Sequence, residues 1–119
     1  MTAEMSFKHW RNGPAKRILQ EGMAFDIGRL SSWQEYTETF VRFVGRRTPK
    51  GEKPLLDDMR EKFYHMSSGE QVLFAACIFA GDYAWLADEL MGERSWQRIW
   101  WNLSENFRFS VGSAIARVD

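Results

Sequence analysis

Asp57, Glu61 and His65 are spaced i, i+4 and i+8, so a helix would carry two carboxylates and an imidazole along one face. Such groups ligate transition metals and move protons, which makes this the first place to look for metal or acid/base chemistry. A metal-binding bundle needs a matching set on a second helix, and the Glu-x-x-His pairs of di-iron bundles are absent. The three residues are also the polar back of an amphipathic pattern whose apolar side is Leu55, Leu56, Met59, Phe63 and Met66, and a solvated face accounts for them. His9 has no nucleophile or acid at motif spacing, so no hydrolase arrangement can be drawn around it. Cys77 is the single cysteine, which excludes an internal disulfide and a cysteine-built zinc cage. Its place in the most apolar stretch predicts a packing residue rather than a reactive thiol. No catalytic set, cofactor or metal is expected.

The string Met66-Ser67-Ser68-Gly69-Glu70-Gln71 resembles the signature loop of ATP-binding-cassette proteins over about six residues. That family also requires a phosphate-cradling loop ending in Gly-Lys-Ser or Gly-Lys-Thr, and the chain has none; a capped helix start explains the string. The segment from Trp85 to Leu103, WLADELMGERSWQRIWWNL, resembles a helix-turn-helix: a short helix, a turn holding Gly92, then a Ser-capped helix. The resemblance implies that the second helix enters the major groove, with Arg94, Gln97, Arg98 and Asn102 among the side chains facing DNA and Trp96, Ile99 and Trp100 inside. Arg46 and Arg47 of the basic loop would add phosphate contacts. Two departures stand against it: Met91 occupies the usual position of the turn glycine, and Gln97 stands where an apolar anchor is normal.

Composition narrows the classes further. Sixteen Lys plus Arg balance sixteen Asp plus Glu in 119 residues, so no global field steers the chain toward nucleic acid or an anionic membrane. Aromatic residues make up 15%, with six Trp, nine Phe and three Tyr, and rings in that number fill a small core and also mark binding surfaces. Trp101 illustrates the choice. If Trp96, Ile99, Trp100 and Leu103 face inward, Trp101 falls at the edge of that face, where it either packs beneath Phe109 and Val111 or anchors a partner.

The elements that must position these residues follow from periodicity and caps. Val72 to Ala80 leaves no polar stripe, and a helix apolar all round but only about 10 residues long is buried rather than membrane-spanning. Ser67 and Glu70 form a capping box at its start, and Ser32 with Glu35 forms another before a helix running to about Gly45 with Trp33, Tyr36, Phe40, Val41, Phe43 and Val44 on its apolar face. Pro14 suits the first turn of a helix reaching about Ala24, with a hairpin over Lys16–Ile27 as the competing reading, and Pro54 restarts a helix after the basic loop. Asp82 is the expected cap of a short helix that Gly92 ends. Ser95 opens the last long helix, to Phe107, with a broken helical tail past Phe109. Residues Met1 to Gly13 lack clear periodicity and form an arm, a short strand or a helix turn.

The expected fold is therefore all-α: one domain over 1–119, a compact orthogonal bundle of five or six helices around a buried helix at about 68–80, with 1–13 a flexible arm. The absence of a signal-peptide pattern points to the cytoplasm. The function expected is non-enzymatic binding of another macromolecule, a protein or a second copy of the chain, with Trp85 and Trp101 as anchors. A helix-turn-helix regulator is the alternative, and a carrier or enzyme with an aromatic-lined pocket is a third reading.

Overall fold

The structure, a computed structural model, describes residues 6–47, 53–92 and 103–116. Those residues form seven α-helices and no strand: α1 Phe7–Arg11, α2 Pro14–Met23, α3 Trp33–Arg47, α4 Lys53–Tyr64, α5 Ser68–Ala80, α6 Ala84–Met91 and α7 Glu105–Ala116. The chain is an all-α bundle. Its radius of gyration is 13.4 Å, matching the ~13.5 Å that length scaling gives for a compact chain of this size. No described helix is long and apolar enough to cross a membrane.

Helix α5 is the centre. Val72 to Ile78 and Ala80 are buried, and α2, α4, α6 and α7 all pack against it. Its start is the expected capping box: the Ser67 hydroxyl accepts from Glu70 N–H at 3.3 Å, and the Glu70 carboxylate accepts from Ser67 N–H at 2.9 Å. Its far end is served from α3, where Tyr36 Oη donates to the Cys77 carbonyl at 2.6 Å and Thr37 Oγ1 to the Ala80 carbonyl at 3.0 Å. These side chains satisfy carbonyls in the last turn, where the helix runs out of its own donors.

Helix α2 starts at Pro14, as its fixed φ favours, and buries Ala15, Ile18, Leu19, Gly22 and Met23; there is no hairpin. Gly22 lets α2 lie close on α5, because a Cβ there would stand 2.4 Å from Phe74 Cε1. Helix α3 opens with Ser32 Oγ accepting from Glu35 N–H at 3.1 Å, while the Glu35 carboxylate accepts from Ser31 N–H at 3.0 Å. Trp33, Tyr36, Phe40 and Val44 of α3 are buried, whereas Val41, expected on the same face, is exposed. A step of 100° per residue turns position 41 away once 40 and 44 face in.

The segment that the sequence left between arm and helix turn contributes α1. Ser6 caps it, accepting from His9 N–H, and Phe7 and Trp10 one turn apart are buried. Trp10 packs against Trp33 with ring centroids 4.5 Å apart and the planes tilted by 48°, and it meets Tyr36 edge-on at 5.1 Å. Its indole N–H donates to the Ser110 carbonyl on α7 at 3.0 Å, so a large ring enters the core with its one polar atom satisfied.

The chain's last helical region differs from the expectation of one helix from Ser95 to Phe107. Leu103 and Ser104 are not helical, and α7 begins at Glu105. Ser104 resets the helix: its hydroxyl accepts from Phe107 N–H at 3.3 Å and its carbonyl from Arg108 N–H at 2.9 Å. The i, i+4 pair Leu103 and Phe107 still reaches one place, since both lie against Gly69 at the start of α5.

Candidate functional site

The metal or acid/base reading of Asp57, Glu61 and His65 is not what the side chains form. Helix α4 ends at Tyr64, which leaves His65 in the following turn, with its N–H on the Lys62 carbonyl. Asp57 pairs with Arg60 at 2.9 Å. No group of three or more His, Cys, Asp or Glu able to hold a metal occurs among the described residues. At the Ser67–Gly69 helix start Leu103 and Phe107 lie against Gly69, and the Ser67 hydroxyl is committed to Glu70. Cys77 is buried, and burial pushes its thiol well above the usual range, away from a reactive thiolate.

Of the residues expected at a binding surface, Trp85 lies within the described residues. Trp101, Arg94, Gln97, Arg98 and Asn102 lie outside them, as do the side chains of Arg46 and Arg47. Trp85 is 52% exposed, whereas Trp10 is 0% and Trp33 4%. The difference is set by α6. Leu86, Ala87, Leu90 and Met91 are its buried residues, at i, i+1, i+4 and i+5, and this spacing turns Ala84, Trp85, Asp88 and Glu89 outward together.

The orientation of α6 is fixed at the turn before it. Asp82 was expected as the helix cap; instead Tyr83 holds the cap position, without a side-chain cap hydrogen bond, and Asp82 closes α5. It sits at φ 69°, with its N–H on the Phe79 carbonyl at 3.1 Å and the next N–H, of Tyr83, on the Ile78 carbonyl at 3.2 Å. This is the Schellman arrangement, which normally places glycine at the left-handed position. The neighbouring Gly81 is needed for another reason: a Cβ there would lie 2.5 Å from the Phe40 ring. With the glycine taken by packing, the left-handed conformation falls to Asp82, a residue type that tolerates it.

Tyr83, directed inward by this turn, packs 5.6 Å from Phe40, and the Trp85 ring lies 6.2 Å from Tyr83 at 50°. A row of rings thus leads from the core to the surface and backs the exposed indole. Arg60 of α4 holds α6 with its fork, Nε at 2.6 Å and Nη2 at 3.0 Å from the Glu89 carboxylate. The hydrogen bond to Arg60 lowers the Glu89 carboxyl below its usual range, and the same contact raises the Arg60 guanidinium. Asp88 has no cationic partner among the described residues. Sequence reading singled out Trp85 but missed Asp88 and Glu89 beside it; the signal was their i+3 and i+4 spacing from the ring.

Two grooves lie elsewhere among the described residues. One groove of about 370 Å³ runs along α3 beside Trp33, Gln34, Thr37 and Glu38. A second of about 410 Å³ lies by Gly13, Lys16, Arg17, Gln20 and Asp26. Neither brings together a nucleophile with a base and an orienting group, the minimum for hydrolytic chemistry. The other exposed large apolar residues among those described, Val41, Tyr64 and Ile115, sit on three different helices. No protein-family model, curated protein or solved structure matches the chain.

Proposed function

We propose that this protein acts by binding another macromolecule, a protein partner or a second copy of itself, through the outer face of α6 with Trp85 at its centre. The observation that carries this reading is a half-exposed tryptophan in a chain whose other described tryptophans are buried. A rigid aromatic ring that leaves water on association contributes much of the energy of small interfaces while losing little conformational freedom. The ring is backed by Tyr83, and α6 is tied to α4 through Glu89 and Arg60, so the face is presented on a fixed element.

The helix-turn-helix alternative gains less from this face. In that family the first helix crosses the DNA backbone, and the outward residues of α6 include Asp88 and Glu89, which repel phosphates.

Light scattering over a concentration series, with capture from the host lysate, tests the reading. Self-association or capture by the wild-type chain that is lost in Trp85→Ala is expected. A monomer that captures nothing, or binding that Trp85→Ala leaves unchanged, overturns it.

A further inference from the structure

The segment from Gly81 to Gly92 contains Asp82, Asp88 and Glu89 and not one Lys or Arg. All three acidic residues are exposed, and so is Trp85. On α6, Asp88 and Glu89 stand one turn beyond Trp85, on the ring's own side. Arg60 reaches Glu89 from α4, while Asp88 faces outward without a cation among the described residues. The chain as a whole is neutral, so the negative charge here is a local property of this face.

We infer that the partner surface for α6 is a basic segment of another protein, whose arginine side chain stacks on the Trp85 indole while its charge is met by Asp88. The inference rests on the binding role proposed for Trp85 and adds the chemistry of what binds. Two features of the face select this occupant. An exposed indole attracts a cation over its ring, tryptophan being the strongest of the aromatic residues in this respect. A neighbouring carboxylate adds attraction and orients the approaching group, and arginine satisfies both because its planar guanidinium stacks on the ring while its edge donates to a carboxylate. An acidic or uncharged apolar partner would gain only the ring and would leave Asp88 to be desolvated without compensation. The carboxylate of Glu89 is compensated by the Arg60 fork and holds the helix in place, which leaves Asp88 to supply the contact.

The test uses the full chain and a fluorescein-labelled peptide of alternating Arg and Gly, with Lys-Gly and Glu-Gly peptides of equal length as comparisons, followed by anisotropy. The Arg-Gly peptide is expected to bind most tightly, the Lys-Gly peptide more weakly and the Glu-Gly peptide not at all, with affinity falling as salt is raised. Trp85→Ala should weaken Arg-Gly binding about 3- to 30-fold, Trp85→Tyr should restore part of it, and Asp88→Asn should weaken it about 2- to 5-fold. Melting curves check that each variant stays folded. Failure of the Arg-Gly peptide to bind, or binding that Trp85→Ala leaves intact, overturns the inference. If self-association or capture still depends on Trp85 while no basic peptide binds, the binding role stands and the basic partner is wrong; if nothing depends on Trp85, both fall.

Discussion

Glycine to alanine at position 22 and at position 45 should change stability in opposite directions. Both glycines lie in the last turn of a helix, α2 and α3 respectively, so the backbone gain from alanine is similar at the two sites, about 0.5 to 1 kcal/mol. The surroundings differ. An added Cβ at Gly45 meets nothing within 4 Å, whereas at Gly22 it would lie 2.4 and 2.7 Å from two carbons of the Phe74 ring and 3.0 Å from Met66 Cε. Carbon atoms pack at about 3.5 to 4.0 Å, so the ring or the helix must give by about 1 Å. Phe74 is fully buried on the central helix and has no solvent to move into. Overpacking of this kind costs about 1 to 3 kcal/mol. Gly45→Ala should therefore gain up to about 1 kcal/mol, and Gly22→Ala should fall below it by about 1 to 3 kcal/mol, a difference in which the backbone gain cancels. Urea unfolding with a common slope for all variants measures it. In a Phe74→Leu background, which shortens the facing side chain, the penalty at position 22 should shrink or reverse. Equal stability of the two single variants would refute the close approach of α2 to α5.

Two further outcomes follow from the hydrogen bonds around α5. Tyr36→Phe should cost about 1 kcal/mol rather than more, because the Cys77 carbonyl that loses the 2.6 Å phenol hydrogen bond keeps the Gly81 N–H at 3.2 Å; an unchanged urea midpoint would show that the phenol contributes nothing. The Glu70 carboxyl is held below its usual range, first by the Ser67 N–H and then by Arg17 at 3.0 Å. A carboxyl depressed in the folded state stabilises fully above its ordinary pKa of about 4.3 and loses that contribution as pH falls through the folded value. The stability difference between wild type and Glu70→Gln should thus be constant near neutral pH and shrink on acidification; a difference that holds flat into the acid range would contradict the assigned ion pair and cap.

Residues whose role is local were legible in the sequence. The α5 capping box needs only Ser67 and Glu70 three apart, and the burial of α5 needs only the absence of any polar side. The αL turn after α5 was not legible, because Gly81 looks like the residue that supplies the left-handed turn and is instead cleared for Phe40, a side chain some forty positions earlier in the sequence. The α1 segment was unclear for a similar reason: five residues carry too little periodicity, and what makes Phe7 and Trp10 core is the aromatic group of α3. At the candidate site the exposure of Trp85 follows from which residues of α6 face α5, and that depends on the direction in which the turn releases the chain. The neighbouring carboxylates were visible as spacing but had no meaning until the ring was known to face water.

The hydrogen bond from Trp10 to Ser110 joins residues one hundred positions apart, and it sets a clock on synthesis. Chains emerge at about 5 to 20 residues per second, so on the order of 5 to 20 s separate the two residues. Through that interval Phe7, Trp10, Trp33 and Tyr36 can gather, since all precede residue 40, but the indole N–H has no α7 carbonyl to meet. The N-terminal aromatic group can thus assemble early but is sealed only once the α7 segment has been made.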